Sequence, residues 1–275
     1  MKPIVVTTPR TGSKLFCHMM TSVATQHYGY KGSLGELFTI VPFFRTRYQY
    51  ANNVISAKFT QRIDTQAARG YSHKRRETDG KWFTSVRDEQ LKRLSWISDE
   101  DAVYLIKIFP IDIEPEVEEE ITTKYDIIYL ERRDRLRQLI SYYGMHQTNK
   151  SHYGVKQIAS DENFLEINTI EELRYNKKIT TAFLRFAMIY QEFKQTYPSK
   201  YPTVYYEDFI AEGANEQAIV KLLGLAIDVQ INDSRIVPTP YKSSNPEDLI
   251  VNQSIWLENK PDIIRKLNNI YGTTY

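Results

Sequence analysis

The stretch from Lys2 to Met20 constrains the fold more than any other part of the chain. It begins with a short apolar, β-branched run, Ile4 to Thr8, and continues through the turn residues Pro9 to Ser13. Apolar side chains then recur every three or four residues, as is typical of a helix: Leu15, Phe16, Met19, Met20 and Val23. The stretch therefore predicts a strand, a tight turn and a helix from about Ser13 to Tyr28.

The turn between this strand and helix has the composition of an anion-binding loop. Backbone N–H groups at the start of a helix point at one spot, at the positive end of the helix dipole. Gly12 permits close approach of the backbone to a bound anion. Arg10 and Lys14 add positive charge, and Thr11 and Ser13 add hydroxyl donors. An ordinary turn with a Ser N-cap needs no flanking cations, so the composition favours a phosphate or sulfate site.

Length and composition indicate a globular protein with one large core. The chain has 275 residues, of which 41% are hydrophobic and 25% charged, and we expect a single domain over residues 1–275. A net charge of +2 gives no case for nucleic acid. The single cysteine, Cys17, excludes an internal disulfide, and no spacing of metal ligands is present. We find no apolar run of membrane-spanning length and no signal peptide, so we expect a cytoplasmic protein without membrane insertion.

A second cationic junction, by which we mean a positively charged connection from a strand to a helix like the turn at Pro9–Ser13, follows the apolar run from Tyr125 to Leu130. This run predicts a core strand. Arg132 and Arg133 come at its carboxyl end, where open α/β sheets bind ligands. Ser141 lies about two turns along the following helix and faces back toward these arginines. The alternative is a helix with a solvated arginine face.

Two further charged residues stand in apolar surroundings. Glu36 lies in the Gly-rich segment Ser33–Phe38 and is either a general base that reaches the same pocket or a capping or solvated residue. Lys107 interrupts the apolar strand Ala102–Phe109 and either reaches an edge of the sheet or points at an anionic ligand.

The rest of the chain predicts alternating strands and helices. A short strand is expected at Thr203–Tyr206, and helices are expected over 114–124, 171–197, 215–225 and 255–271. Continuous apolar strands that alternate with helices are typical of a parallel sheet covered on both faces. We therefore expect a three-layer α/β/α protein with a central parallel sheet flanked by helices.

The two junctions together resemble a known family. Pro9–Leu15 resembles the 5′-phosphosulfate loop of sulfotransferases that use 3′-phosphoadenosine 5′-phosphosulfate (PAPS), and Ile128–Asp134, continuing to Gln138 and Ser141, resembles their 3′-phosphate motif. Within that family, this sequence is similar to the bacterial and phage group that includes trehalose and nodulation-factor sulfotransferases. Two weaker matches to that group are Leu34–Phe38 and Tyr205–Phe209.

This resemblance implies a P-loop-like fold, an activity and a set of roles. A sulfuryl group would move from PAPS to an acceptor hydroxyl on a carbohydrate or glycolipid, leaving 3′,5′-adenosine diphosphate, with no metal. Ser141 and either Arg132 or Arg133 would hold the 3′-phosphate, and the eight-residue spacing to Ser141 favours Arg133. Glu36 would be the catalytic base, assisted by Arg10 and Lys14. Lys107, if it points at an anionic ligand, would contact the substrate together with Glu36. Residues implied to contact the rest of the nucleotide are Pro9, Arg10, Thr11, Gly12, Ser13, Lys14, Leu15, Tyr241, Lys242, Ser243 and Ser244.

Departures from the family pattern leave two other functions open. Lys14 stands where many members have Thr or Ser, and the strand ending at Phe109 lacks the histidine base of eukaryotic cytosolic members. One alternative is a P-loop nucleotide kinase or NTPase, but Leu15 removes the hydroxyl that binds Mg²⁺ and Thr7 replaces the first glycine. The other alternative is a non-catalytic nucleotide-binding protein of the same fold.

Overall fold

A computed structural model describes residues 2–38, 90–91, 93–94, 97, 104–148, 177–231, 254 and 256–274. Its described strands form a five-stranded sheet in the order β2-β3-β1-β4-β5. The strands are β1 (Pro3–Thr7), β2 (Ser33–Gly35), β3 (Leu105–Ile108), β4 (Asp126–Glu131) and β5 (Val204–Tyr205). Every pairing in this sheet is parallel, so the carboxyl ends of all five strands lie at one edge.

The helices connect these strands and cover both faces of the sheet. The α-helices are α1 (Ser13–Tyr28), α2 (Pro115–Lys124), α3 (Arg135–Thr148), α4 (Lys177–Thr196), α5 (Tyr206–Ala211), α6 (Glu216–Leu223) and α7 (Pro261–Tyr271), and a 3₁₀ helix spans Pro110–Asp112. The prediction of an α/β protein with a parallel sheet flanked by helices is confirmed.

Successive residues of the central strands point to opposite layers, as a period of two requires. Ile4 and Val6 of β1 pack in a buried cluster with side chains of α2 and α4. Val5 packs on the other face, in a buried cluster with side chains of α1 and α6. Burial on both faces explains why these strands read as continuous apolar runs rather than as alternating ones.

A third cluster joins α3, α4 and α7 beside the sheet. Leu136 and Leu139 of α3 contact this core together with Phe183 of α4 and Leu267 of α7, and all four are essentially inaccessible to solvent. This packing fixes the direction of α3, which carries Ser141 of the second cationic junction.

The ends of α6 lie close to where the sequence predicted them, but the helix ends near the C-terminus do not. The Asn215 side chain caps α6 by accepting a hydrogen bond from the Ala218 N–H, and Gly224 ends that helix in a left-handed conformation. The predicted single helix over 255–271 is wrong: Lys260 leaves the helical conformation, and Pro261 begins α7 at the position that proline favours. Among the described residues, no helix is both long and apolar enough to cross a membrane.

Candidate functional site

The carboxyl ends of the five parallel strands bring the candidate residues to one edge of the sheet. The turn after β1 supplies Arg10, the end of β2 supplies Glu36, and β3 supplies Lys107. Arg132 follows β4, and Tyr206 follows β5. Ligands bind at this edge in open α/β sheets because the loops there are free to carry functional side chains.

The turn after β1 contains two residues in the left-handed conformation, and the ring of Tyr206 packs closely against it. Arg10 and Gly12 both have left-handed conformations, with φ of 66° and 73°. A Cβ atom on Gly12 would lie 2.1 Å from Cε2 of Tyr206, so the tyrosine ring occupies the space that a side chain would need. Gly12 is therefore required both by its φ and by this contact.

Internal hydrogen bonds hold this turn in shape. Thr7 Oγ1 lies 2.6 Å from Thr11 Oγ1 and donates to the carbonyl of Leu130 in β4 at 2.8 Å. Gln138 Nε2, on α3, donates to Thr8 Oγ1 at 2.8 Å and to the Pro9 carbonyl at 2.6 Å. The buried Thr11 hydroxyl also contacts the Thr8 carbonyl, so it is used within the turn, although the sequence suggested it as a ligand donor.

The two cationic junctions meet at a hydrogen bond between side chains. Arg10 Nε donates to Ser141 Oγ at 2.9 Å, across 131 positions of sequence. Arg132 Nη1 reaches the carbonyl of Arg10 at 3.4 Å. Burial lowers the pKa of Arg10, and repulsion from Arg132 lowers it further, but a guanidinium stays charged. Two partly buried cations side by side are an arrangement that a bound anion would stabilise.

Arg132 and Arg133 have different surroundings. The Arg132 side chain is 15% exposed and its guanidinium lies 5.4 Å from the centre of the Tyr206 ring. The Arg133 side chain is 52% exposed and forms a bidentate pair with Asp208, which lowers the pKa of that carboxyl. Arg132 therefore faces the turn, and Arg133, which the sequence spacing favoured, faces away from it.

Arg132 also has an unused donor. Its Nε is buried and lacks a hydrogen-bond partner within the described part of the chain. Oε1 of Glu207 lies 3.5 Å from this nitrogen, while Oε2 of Glu207 accepts the Arg133 N–H at 2.9 Å. A buried N–H without a partner is costly, and a phosphate oxygen at this position would satisfy it.

Glu36 and Lys107 form an ion pair at the start of α1. Lys107 Nζ lies 2.7 Å from Glu36 Oε1 and 3.3 Å from Ser13 Oγ, and the paired side chains are 10% and 16% exposed. Of the two interpretations left open for Lys107, the structure therefore favours the one in which it points into the site. Glu36 is ion-paired rather than solvated, and its carboxylate lies beside the turn after β1.

Lys14 adds a further charge on the first turn of α1. The side chain is exposed, yet enough of it is covered for desolvation to lower its pKa, and repulsion from Lys107 adds to this effect. Pro9 contributes its carbonyl, which accepts from Gln138, and Leu15 packs partly buried against the core cluster that includes α1. The remaining candidates, Tyr241 to Ser244, lie outside the described residues.

Two residues of the site were not singled out from the sequence. Tyr206 packs under Gly12, and desolvation raises the pKa of its phenol. Glu207 contacts both Arg132 and the backbone of Arg133. The segment Tyr205–Phe209 was noted only as a weak family resemblance. The boundary between a strand and a helix at Tyr205 is the signal that could have placed Tyr206 and Glu207 at the carboxyl edge of the sheet.

No protein-family model matches this chain, and no curated protein matches it.

Proposed function

We propose that the protein is a sulfotransferase with a P-loop-like fold that moves a sulfuryl group from PAPS to a hydroxyl of a small-molecule or glycan acceptor. The observation that carries the proposal is the hydrogen bond from Arg10 to Ser141. It joins two cationic strand–helix junctions into one site. A nucleotide with separate 5′ and 3′ anionic groups needs two adjacent anion positions, whereas one turn would serve a single phosphate.

The residues present suit both anionic groups. The start of α1, with Arg10 and Lys14, would hold the 5′-phosphosulfate through backbone N–H groups and two cations. Arg132, whose buried Nε makes no hydrogen bond among the described residues and lies 3.5 Å from Glu207, would hold the 3′-phosphate together with Ser141. We therefore assign this role to Arg132 in preference to Arg133, whose guanidinium is held by Asp208.

The charges of the site suit in-line sulfuryl transfer. PAPS supplies an activated sulfuryl group: the acceptor oxygen bonds to sulfur while the bond from sulfur to the 5′-phosphate oxygen breaks, releasing 3′,5′-adenosine diphosphate. Glu36 would accept the hydroxyl proton, because its carboxylate lies beside the turn, 2.7 Å from Lys107 Nζ. Arg10, Lys14 and Lys107 would stabilise negative charge on the departing phosphate and on the transferred group.

The test is calorimetric titration of the protein with 3′,5′-adenosine diphosphate in the absence of metal, with ATP plus Mg²⁺ as the control. We expect binding of the bisphosphate and no metal requirement. Binding of ATP with Mg²⁺ alone would replace the proposal with a nucleotide kinase, in spite of Leu15. If the bisphosphate binds but no compound in a broad screen of hydroxyl acceptors causes PAPS to be consumed, the protein is a non-catalytic nucleotide-binding protein.

A further inference from the structure

A groove of about 620 Å³ lies between the 3₁₀ helix and the first half of α4. Residues four positions apart lie on the same face of a helix, and α4 presents two such rows to the groove. The rows are Lys177, Thr181 and Arg185, and Lys178, Ala182 and Phe186. Ile111 of the 3₁₀ helix lies on the opposite side.

The lining of this groove combines an apolar surface with positive charge. Ile111, Ala182 and Phe186 are partly buried, whereas Lys177 and Arg185 are exposed. None of the described residues that line the groove is acidic, although Asp112 is the neighbour of Ile111 in the 3₁₀ helix. Cations around an apolar surface complement a ligand that has an anionic group and an apolar part.

A short row of packed side chains lies between the groove and the candidate site. The Phe186 ring packs edge-on against the Phe109 ring with centroids 6.1 Å apart. Lys107 Nζ lies 4.9 Å from the centroid of the same Phe109 ring, and it is the atom that holds Glu36. One aromatic ring therefore separates the groove from the ion pair that contains the proposed base.

We propose that this groove binds the acceptor and selects an anionic amphiphile, a hydroxyl compound with a carboxylate or phosphate group and an apolar chain. The inference rests on the proposed function for the role of the ligand as acceptor. The apolar chain contacts Ile111 and Phe186, the anionic group lies between Lys177 and Arg185, and the acceptor hydroxyl extends past Phe109 toward Glu36.

The test compares octyl β-D-glucuronide with octyl β-D-glucoside, because the two probes share their chain and most hydroxyls but differ by a carboxylate. Each is titrated calorimetrically, below its micellar concentration, into protein with and without 3′,5′-adenosine diphosphate. We expect the glucuronide to bind about tenfold more tightly, since the exposed cations each contribute a modest attraction. In the Lys177→Glu/Arg185→Glu variant this preference should disappear.

The matched control is Lys266→Glu, which reverses one exposed charge on α7, outside the groove and the nucleotide site. It should keep the preference, and circular dichroism should show that both variants are folded. Equal binding of the two probes, or a preference retained in the double variant, would overturn the proposal. Nucleotide titration of the wild type tests the sulfotransferase proposal separately. The groove proposal does not depend on that result, because the two probes are also compared on nucleotide-free protein.

Discussion

Replacing Gly12 by alanine tests whether Tyr206 shapes the anion-binding turn. A Cβ atom at this position would lie 2.1 Å from Cε2 and 2.2 Å from Cδ2 of the tyrosine ring. Contacts under 3.0 Å essentially never occur for real Cβ atoms, so either the ring or the turn has to move. The same ring lies against the Arg132 guanidinium, and a displaced ring would disturb both anion positions.

The expected loss of stability has two parts. A non-glycine residue in a left-handed conformation costs about 1–2 kcal/mol, and overpacking of a well-packed region costs about 1–3 kcal/mol. Gly29 provides the matched control because its φ is +68° but nothing lies within 4 Å of the place that a Cβ atom would occupy. Gly29→Ala should therefore carry only the first part, and Gly12→Ala should lower the free energy of unfolding by about 1–3 kcal/mol more.

Urea unfolding of the two single variants measures this difference directly. Repeating Gly12→Ala in a Tyr206→Ala background completes a double-mutant cycle, because the contact is then absent and only the cost of the backbone conformation remains. If Gly12→Ala costs no more than Gly29→Ala, or if its extra cost persists without the tyrosine ring, the packing argument is wrong.

Three further predictions concern single side chains. Arg132→Ala should weaken 3′,5′-adenosine diphosphate binding about tenfold or more by calorimetry, whereas Arg133→Ala should change it far less; the opposite order would reassign the 3′-phosphate site. Glu36→Gln should leave nucleotide affinity unchanged and reduce turnover about a hundredfold or more, and full activity in this variant would exclude Glu36 as the base. Burial raises the pKa of the Cys17 thiol to about 12, so a disulfide reagent at pH 8 should label it only as fast as the protein unfolds, and rapid labelling of folded protein would contradict its burial.

The layout of the sheet could be predicted because its strands are buried on both faces and stand out as apolar runs. The exception is β2, which has three residues, Ser33 to Gly35, and pairs irregularly with β3. A segment this short carries no periodicity, and pairing with β3 rather than local preference makes it a strand. For this reason the sequence placed Glu36 only in a Gly-rich segment, without the strand that precedes and positions it.

The convergence of the two junctions was also predictable, because parallel strands end at one edge. The direct contact of Arg10 with Ser141 was not, since it depends on how α3 packs. Gln138 donates hydrogen bonds to the turn after β1, and the buried residues of α3 pack with α4 and α7. Side-chain contacts between elements that lie more than 120 residues apart leave no periodic signal in the sequence.

The choice between Arg132 and Arg133 follows from the two-residue period of β4. Leu130 packs on the face that α1 covers, and Glu131 points to the other face, where Lys194 of α4 pairs with it at 2.5 Å. The next residue, Arg132, therefore returns to the α1 face, beside the turn. Lys107 of β3 shares that face, because Ile106 and Ile108 point to the opposite cluster. Counting back eight residues from Ser141 assumes one continuous element, but β4 ends at Glu131 and α3 begins at Arg135. The strand period, and not the helical spacing, therefore decides which arginine faces the turn after β1.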